Sequence, residues 1–295
     1  VNEAQRSKIA DGKGFLAALD QSGGSTPKAL ALYGVPESAY STEAEMFEFM
    51  HEFRSRIITA PAFDGDRILG AILFEQTIDL DVGGIATAQY LWEHKNVVPF
   101  VKVDEGLAVG ADGVQLMKPF TNLEGLLERC VRRQVFGTKM RSFILSADAR
   151  GIGAVLDQQF AYAMQILDAG MVPIIEPEVD IRSPEKEQAE ELLNRGIVER
   201  LDDVPDGQQV MLKLSIPTRD DSYANLMRHV KVLRVVALSG GYSQEDADTR
   251  LARNQGLIAS FSRALTQGLQ HQQSDEEFNR VLAASITAIY AASTT

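Results

Sequence analysis

Only one cysteine, Cys130, occurs in the 295 residues, so no disulfide can form within the chain. Its surroundings, Leu126-Leu127-Glu128-Arg129-Cys130-Val131, read as a helix. A lone cysteine there is a small buried hydrophobe, since a nucleophilic thiolate needs a basic partner that the local pattern does not indicate. Histidine is scarce too: the four, at 51, 94, 229 and 271, show no metal-ligand spacing and fit surface or packing roles. No apolar stretch approaches the ~20 residues that cross a bilayer. The first residues, Val1-Asn2-Glu3-Ala4-Gln5-Arg6, form no apolar signal region, so a cytoplasmic protein is expected. The dinucleotide-binding pattern Gly-x-Gly-x-x-Gly, the P-loop and the Gly-x-Ser-x-Gly elbow are all missing. Positive charge is in deficit, 29 basic against 41 acidic residues, net -12. Such a surface repels nucleic acid and anionic membranes. It does not exclude a small phosphorylated ligand held by a local cluster of Lys and Arg. There is no Pro/Gly/Ser-rich linker, low-complexity segment or short repeat. Nothing in the sequence decides whether the chain forms a homo-oligomer.

Eight apolar, β-rich runs recur instead: Gly14–Asp20, Ile68–Glu75, Val97–Val103, Phe136–Leu145, Val172–Val179, Val210–Ile216, Val232–Ser239 and Leu257–Arg263. Continuous apolar runs suit parallel strands covered by helices. Thr42–Ile58, Gln158–Ala169 and Glu185–Glu199 have helical spacing between them. Eight strands alternating with helices predict an α/β fold, a (β/α)₈ TIM barrel in one domain over residues 1–295. A two-domain α/β arrangement would fit the length, but no boundary marks it.

Charges sit near the C-terminal ends of these runs, where a barrel carries its chemistry. Asp20, Glu75, Lys102, Lys139 with Arg141, Glu176 with Glu178, Lys213, Ser239 and Arg263 all lie there. Period-two spacing puts Lys139 and Arg141 on one side of their strand, and Glu176 and Glu178 on one side of theirs. Lys213 is the sole cation in Val210-Met211-Leu212-Lys213-Leu214-Ser215-Ile216. Burial favours its neutral amine, which attacks carbonyls and forms Schiff bases. The ordinary alternative is a lysine that snorkels from a strand end to water. With Lys139 and Arg141 nearby to help keep the amine neutral, a carboxyl such as Glu176 could cycle a proton during carbinolamine collapse. A second carboxylate, such as Asp20, could hold or deprotonate a substrate hydroxyl.

Two segments suit phosphate. Ser22-Gly23-Gly24-Ser25 follows the first run, and Ser239-Gly240-Gly241-Tyr242-Ser243 follows the seventh. Glycine lets backbone N–H groups approach an anion, and a following helix adds a favourable dipole. Each is also an ordinary turn followed by an N-cap. Arg263, placed at the end of the eighth run, could close the second site. Together they suggest a substrate with phosphate at both ends.

The chain resembles class I fructose-1,6-bisphosphate aldolases in their shorter bacterial form, over roughly Gly12 to Tyr290. The resemblance rests on Ala18-Leu19-Asp20-Gln21-Ser22-Gly23-Gly24-Ser25, Ile72-Leu73-Phe74-Glu75, Val101-Lys102-Val103-Asp104-Glu105-Gly106, Lys139-Met140-Arg141, Ile175-Glu176-Pro177-Glu178, Leu212-Lys213, Leu238-Ser239-Gly240-Gly241 and Ser260-Phe261-Ser262-Arg263. It implies reversible cleavage of fructose 1,6-bisphosphate to dihydroxyacetone phosphate and glyceraldehyde 3-phosphate, a step of glycolysis and gluconeogenesis, with no metal or other cofactor. Lys213 matches the Schiff-base lysine, Glu176 the proton-transfer glutamate and Glu178 its active-site neighbour. Asp20 matches the aspartate near the C4 hydroxyl, and Lys139 the lysine that stabilises charge. Ser22, Ser25, Lys102 and Arg141 match residues of the 6-phosphate end. Ser239, Gly240 and Arg263 match the 1-phosphate site, with Gly241 beside them. Gln21 and Ala29 depart from the animal pattern, which has Glu and Arg there. The rivals are a transaldolase or another lysine-dependent sugar-phosphate aldolase, and a phosphosugar-binding protein without turnover.

Overall fold

The computed structural model describes residues 2–22 and 24–295. Eight strands lie side by side in chain order: β1 Phe15–Leu19, β2 Ile68–Leu73, β3 Val98–Lys102, β4 Gly137–Ile144, β5 Val172–Val179, β6 Val210–Ser215, β7 Val232–Leu238 and β8 Ile258–Ala259. All their pairings are parallel. The sheet curls until its edges meet, where the Ala18 N–H donates to the Phe261 carbonyl at 3.3 Å. The eight expected runs are these eight strands, and the fold is a TIM barrel.

The last strand is shorter than expected. Beyond Ala259 the Ser260 N–H still donates to the Ala237 carbonyl. Ser262 then takes a helical backbone conformation (φ -103°, ψ -66°), which turns the chain out of the sheet. Arg263 therefore opens the short helix Arg263–Thr266 rather than ending a strand. Glu75 is also not a strand end: it begins the 3₁₀ turn Glu75–Asp79 and pairs with Arg129 on the outer layer.

Helices follow their caps. Glu43–Thr59 starts after Thr42, whose side chain and that of Glu45 form a reciprocal capping box. The helix expected from Gln158 begins at Ala149, because the Asp148 side chain accepts from the Gly151 N–H and fixes an earlier start. Gly151 and Gly153 weaken the helical signal in that first stretch. The helix expected over Glu185–Glu199 spans Lys186–Leu201. No helix among the described residues is long and apolar enough to cross a membrane.

The lower half of the barrel is filled with apolar side chains, among them Leu16, Val98, Phe100, Ile174, Met211 and Val236. The helix Glu3–Asp11 plugs the bottom with Ile9. Each such side chain contributes about 1.5–3 kcal/mol by leaving water. This floor sets the depth at which polar groups can begin.

Candidate active site

The apolar floor gives way to charge at one level. Along β3, Val98 and Phe100 are followed at period two by Lys102; along β5, Val172 and Ile174 by Glu176 and Glu178; along β6, Met211 by Lys213. Register brings Lys102 beside Lys139, and Arg141 beside Glu176. The apolar strand starts secure burial, and the last turn of each strand is left to chemistry.

The β5–β6 ladder ends at Ile175 and Leu212. Beyond it, side chains replace backbone partners. The Glu176 N–H donates to Gln159 Oε1 at 2.9 Å, and Pro177 has no N–H to place. The Val179 N–H donates to Ser215 Oγ at 3.0 Å, which donates in turn to the Val179 carbonyl at 2.7 Å. Glu176 and Lys213 stand at this interruption, where Gln159 holds the Glu176 N–H and Ser215, two residues past Lys213, holds the Val179 backbone.

Four side chains form a continuous run of charge. Lys213 Nζ lies 3.0 Å from Glu176 Oε1, Lys139 Nζ lies 3.0 Å from Glu176 Oε2, and the same Nζ lies 2.6 Å from Asp20 Oδ2. Lys139, Glu176 and Lys213 are only 2%, 3% and 4% exposed, so these charges interact across protein rather than water. Burial alone would raise the Glu176 carboxyl, but Lys139 and Lys213 outweigh it and hold the group below the usual carboxylate range. Asp20 is also held below the usual carboxylate range: burial pushes it up, and Lys139, Lys213 and Lys102 more than offset that. Lys139 runs the other way. Burial lowers it, but Asp20, Glu176 and Asp104 raise it well above the ordinary lysine value. Lys139 is thus a fixed cation between two carboxylates.

Around this run, Lys102 Nζ contacts Asp104 Oδ1 at 2.8 Å, and Arg141 pairs with Glu178. Burial lowers Arg141, and Glu178 and Glu176 more than restore it. A cleft of about 450 Å³ opens above, lined by every site residue expected from the sequence except Gly241. Asp20, Glu176, Glu178, Lys139 and Lys213 form its depths, with Ser22, Ser25, Lys102 and Arg141 around it. Ser239, Gly240 and Arg263 also line it. Gly240 and Gly241 have φ of +60° and +128°, and a Cβ on Gly240 would meet Ile181 Cγ2 at 2.5 Å. A Cβ on Gly241 would sit 3.6 Å from Arg263 Nη2, which places that glycine against the arginine. Ser22 and Ser25 face each other across a turn, the Ser25 Oγ accepting from the Ser22 N–H. Gly23 lies outside the described residues. Among the described residues, no three His, Cys, Asp or Glu side chains converge as metal ligands. Cys130 is buried, and burial pushes its thiol up to about 12.

Residues 2–189 match the model of the class I fructose-bisphosphate aldolase family. The chain is 56% identical to the class 1 fructose-bisphosphate aldolase of Synechocystis sp. over 294 residues, covering all of this chain and 98% of that one. It is 56% identical to the enzyme of the same name from Clostridium acetobutylicum over 295 residues and the whole of both chains. The chain belongs to the class I fructose-bisphosphate aldolases. The fructose-bisphosphate aldolase of Plasmodium falciparum, at 22% identity, shares the fold with a TM-score of 0.71 over 98% of this chain and 92% of that one. The family match ends before Lys213, whereas the two bacterial aldolases align through it.

The cleft and its surroundings contain residues that strand-end reasoning did not single out. Gln21, Lys28 and Ser262 line the cleft. Gln21 Nε2 donates to Ser262 Oγ at 2.9 Å and so ties the loop after β1 to the loop after β8. Arg54 lies outside the cleft lining, in the helix Glu43–Thr59, and is buried. Its signal was available: it occupies the apolar stripe of that helix, four residues after Met50 and four before Ile58. Gln159 carries no comparable signal, because a glutamine within a long helix normally faces water.

Proposed function

We propose that Lys213 is the nucleophile of the aldol cleavage and Glu176 its proton partner. The protein is a lyase of the class I type, which cleaves fructose 1,6-bisphosphate reversibly into dihydroxyacetone phosphate and glyceraldehyde 3-phosphate in glycolysis and gluconeogenesis. The observation that carries the residue assignment is the unbroken contact run Lys213–Glu176–Lys139–Asp20.

Glu176, held ionised by two lysines, accepts the proton that Lys213 must lose before its lone pair adds to C2. As the amine adds, one of its N–H protons passes to the C2 oxygen to form the carbinolamine. Glu176 then returns the first proton to that hydroxyl as water leaves, and an iminium remains. Asp20, also held ionised, takes the proton of the C4 hydroxyl. The C3–C4 electron pair moves into the iminium, giving an enamine and free glyceraldehyde 3-phosphate. Lys139 stays cationic and stabilises the negative charge passing between the two carboxylates. Protonation at C3 and hydrolysis then release dihydroxyacetone phosphate and restore Lys213. Glu178 holds Arg141, which with Lys102, Ser22 and Ser25 receives the 6-phosphate. Ser239, Gly240, Gly241 and Arg263 receive the 1-phosphate. The acidic, cysteine-poor chain suits a cytoplasmic enzyme, a location that imaging of a tagged protein tests.

Borohydride should fix dihydroxyacetone phosphate onto the peptide that contains Lys213. Adduct on Lys139 or Lys102 would overturn the assignment. The orientation of the sugar has its own test. Arg263→Ala should weaken fructose 1,6-bisphosphate and fructose 1-phosphate alike, by about 1.5–3 kcal/mol. Lys102→Ala should penalise the bisphosphate and spare fructose 1-phosphate, which has no 6-phosphate. Equal losses for both substrates in Lys102→Ala would reverse or remove this orientation.

A further inference from the structure

Among the buried charges that the mechanism does not use, Arg54 stands out because it lacks an ion-pair partner among the described residues. It is 2% exposed. Its guanidinium donates to Thr77 Oγ1 at 3.0 Å and to the backbone carbonyl of Gln21, its Nε has no partner among the described residues, and the Phe74 ring centre lies 5.8 Å away. Burying a cation on so few acceptors is costly unless what it holds is itself needed. The charge nevertheless persists at neutral pH, since burial lowers the group only to about 10 and Asp20 opposes that fall.

What it holds is the residue after Asp20. Gln21 is gripped twice: by Arg54 through its carbonyl and by Ser262 through its side-chain amide. One residue further on, the Ser22 carbonyl accepts from the Ser25 and Thr26 N–H groups, at 2.8 and 2.9 Å, and starts the turn toward the helix Thr26–Leu32. Asp20 is the only member of the charge run that stands outside a strand, one residue past the end of β1. Among the described residues no ladder bond fixes it there, as the ladder fixes Lys139 and Lys213.

We propose that Arg54 is a positioning residue: by fixing the Gln21 carbonyl it sets the Asp20 carboxylate against Lys139, and so serves carbon–carbon cleavage rather than Schiff-base formation. The inference rests on the roles given above to Asp20 and Lys213. It predicts a split that a merely structural arginine would not produce. Dihydroxyacetone phosphate has no C4 hydroxyl, so its capture on Lys213 does not need Asp20, whereas cleavage of the bisphosphate does.

The experiment measures two rates per folded molecule in the full chain: kcat for fructose 1,6-bisphosphate, and borohydride trapping of dihydroxyacetone phosphate on Lys213. In Arg54→Met, kcat should fall by about 10²-fold, the scale of a small misplacement of a reacting group, while trapping stays near wild type. Arg54→Lys, which keeps a cation able to reach the Gln21 carbonyl, should recover part of kcat. Thr77→Val keeps the arginine and removes one of its two acceptors, so it should show the same split, smaller, even if Arg54→Met does not fold. Parallel loss of both rates in whichever of these variants folds, or wild-type values for both in Thr77→Val and Arg54→Lys, would overturn the proposal. Failure of the wild-type enzyme to trap on Lys213 is a separate result: it removes the site assignment and takes this inference with it.

Discussion

Two buried lysine–glutamate pairs lie on neighbouring elements of this barrel, and they are built differently. Lys186 and Glu190, on the helix Lys186–Leu201, saturate each other and the chain around them. Lys186 Nζ donates to Glu190, to the Ile216 carbonyl at 2.8 Å and to Thr218 Oγ1 at 3.1 Å, while the Thr218 N–H donates to Glu190 Oε2 at 2.9 Å. Lys213 and Glu176 meet at 3.0 Å, but among the described residues Glu176 Oε2 accepts no hydrogen bond in addition to its charge contact with Lys139. Both glutamates are 3% exposed, so depth does not distinguish the pairs. Satisfaction does. The first pair spends its hydrogen bonds fastening the segment after β6, whereas the second keeps capacity and opens on a cleft. A buried pair with its polar atoms fully used is structural, and one with capacity left is available for proton transfer.

Removing one glutamate oxygen breaks this comparison most sharply. Glu176→Gln keeps the shape but cannot take a proton from Lys213, so kcat for fructose 1,6-bisphosphate should fall by about 10²–10⁴-fold. Steady-state assays on protein shown to be folded by circular dichroism would measure it, and turnover near wild type would assign the proton to another group. Lys186→Met should do the reverse. It strands Glu190 in a buried site and should cost about 3–5 kcal/mol of stability, read from denaturant unfolding, with kcat per folded molecule unchanged. Replacing both partners, Lys186→Met with Glu190→Leu, should recover most of that loss. If Lys186→Met lost activity without losing stability, the division between a fastening pair and a reacting pair would not stand.

The same contrast explains what was legible in the sequence. The strands were, because continuous apolar runs can only be buried strands at that length, and the charges at their ends followed from period two. Lys213 was visible as a lone cation in such a run. The eighth strand was over-read because the largely apolar run Leu257–Phe261 gives no sign that the chain turns out of the sheet at Ser262, so composition could not report where the strand stops. Glu75 was over-read for a related reason: a charge at a strand end looks the same whether it faces the barrel axis or, as here, Arg129 outside it. Gln159 and Ser215 escaped because they act on backbone groups far away in the chain, at separations of 17 and 36 residues. Arg54 was visible as a charge in an apolar helix stripe, but the carbonyl it holds, 33 residues away, was not.

The smallest expected effect separates two lysines by sign. Lys139 has a folded-state pKa raised above its unfolded value, because Asp20 and Glu176 outweigh burial. Its contribution to stability is therefore complete below the unfolded value of about 10.4 and is lost as pH rises toward the folded one. Lys186 is lowered, because burial outweighs Glu190. In the window just below about 10.4 the unfolded chain holds a proton that the folded one has released, so this group makes stability rise with pH. Unfolding free energies measured from roughly pH 8 to 11 should thus change in opposite ways in the two variants. Lys139→Met should fall less steeply with pH than the wild type, and Lys186→Met more steeply. The other titrating groups, Cys130 included, are common to all three proteins and cancel in the differences. Slopes that shift in the same direction would mean that Lys139 is not held as a cation by its two carboxylates, and the electrostatic half of the mechanism would lose its support.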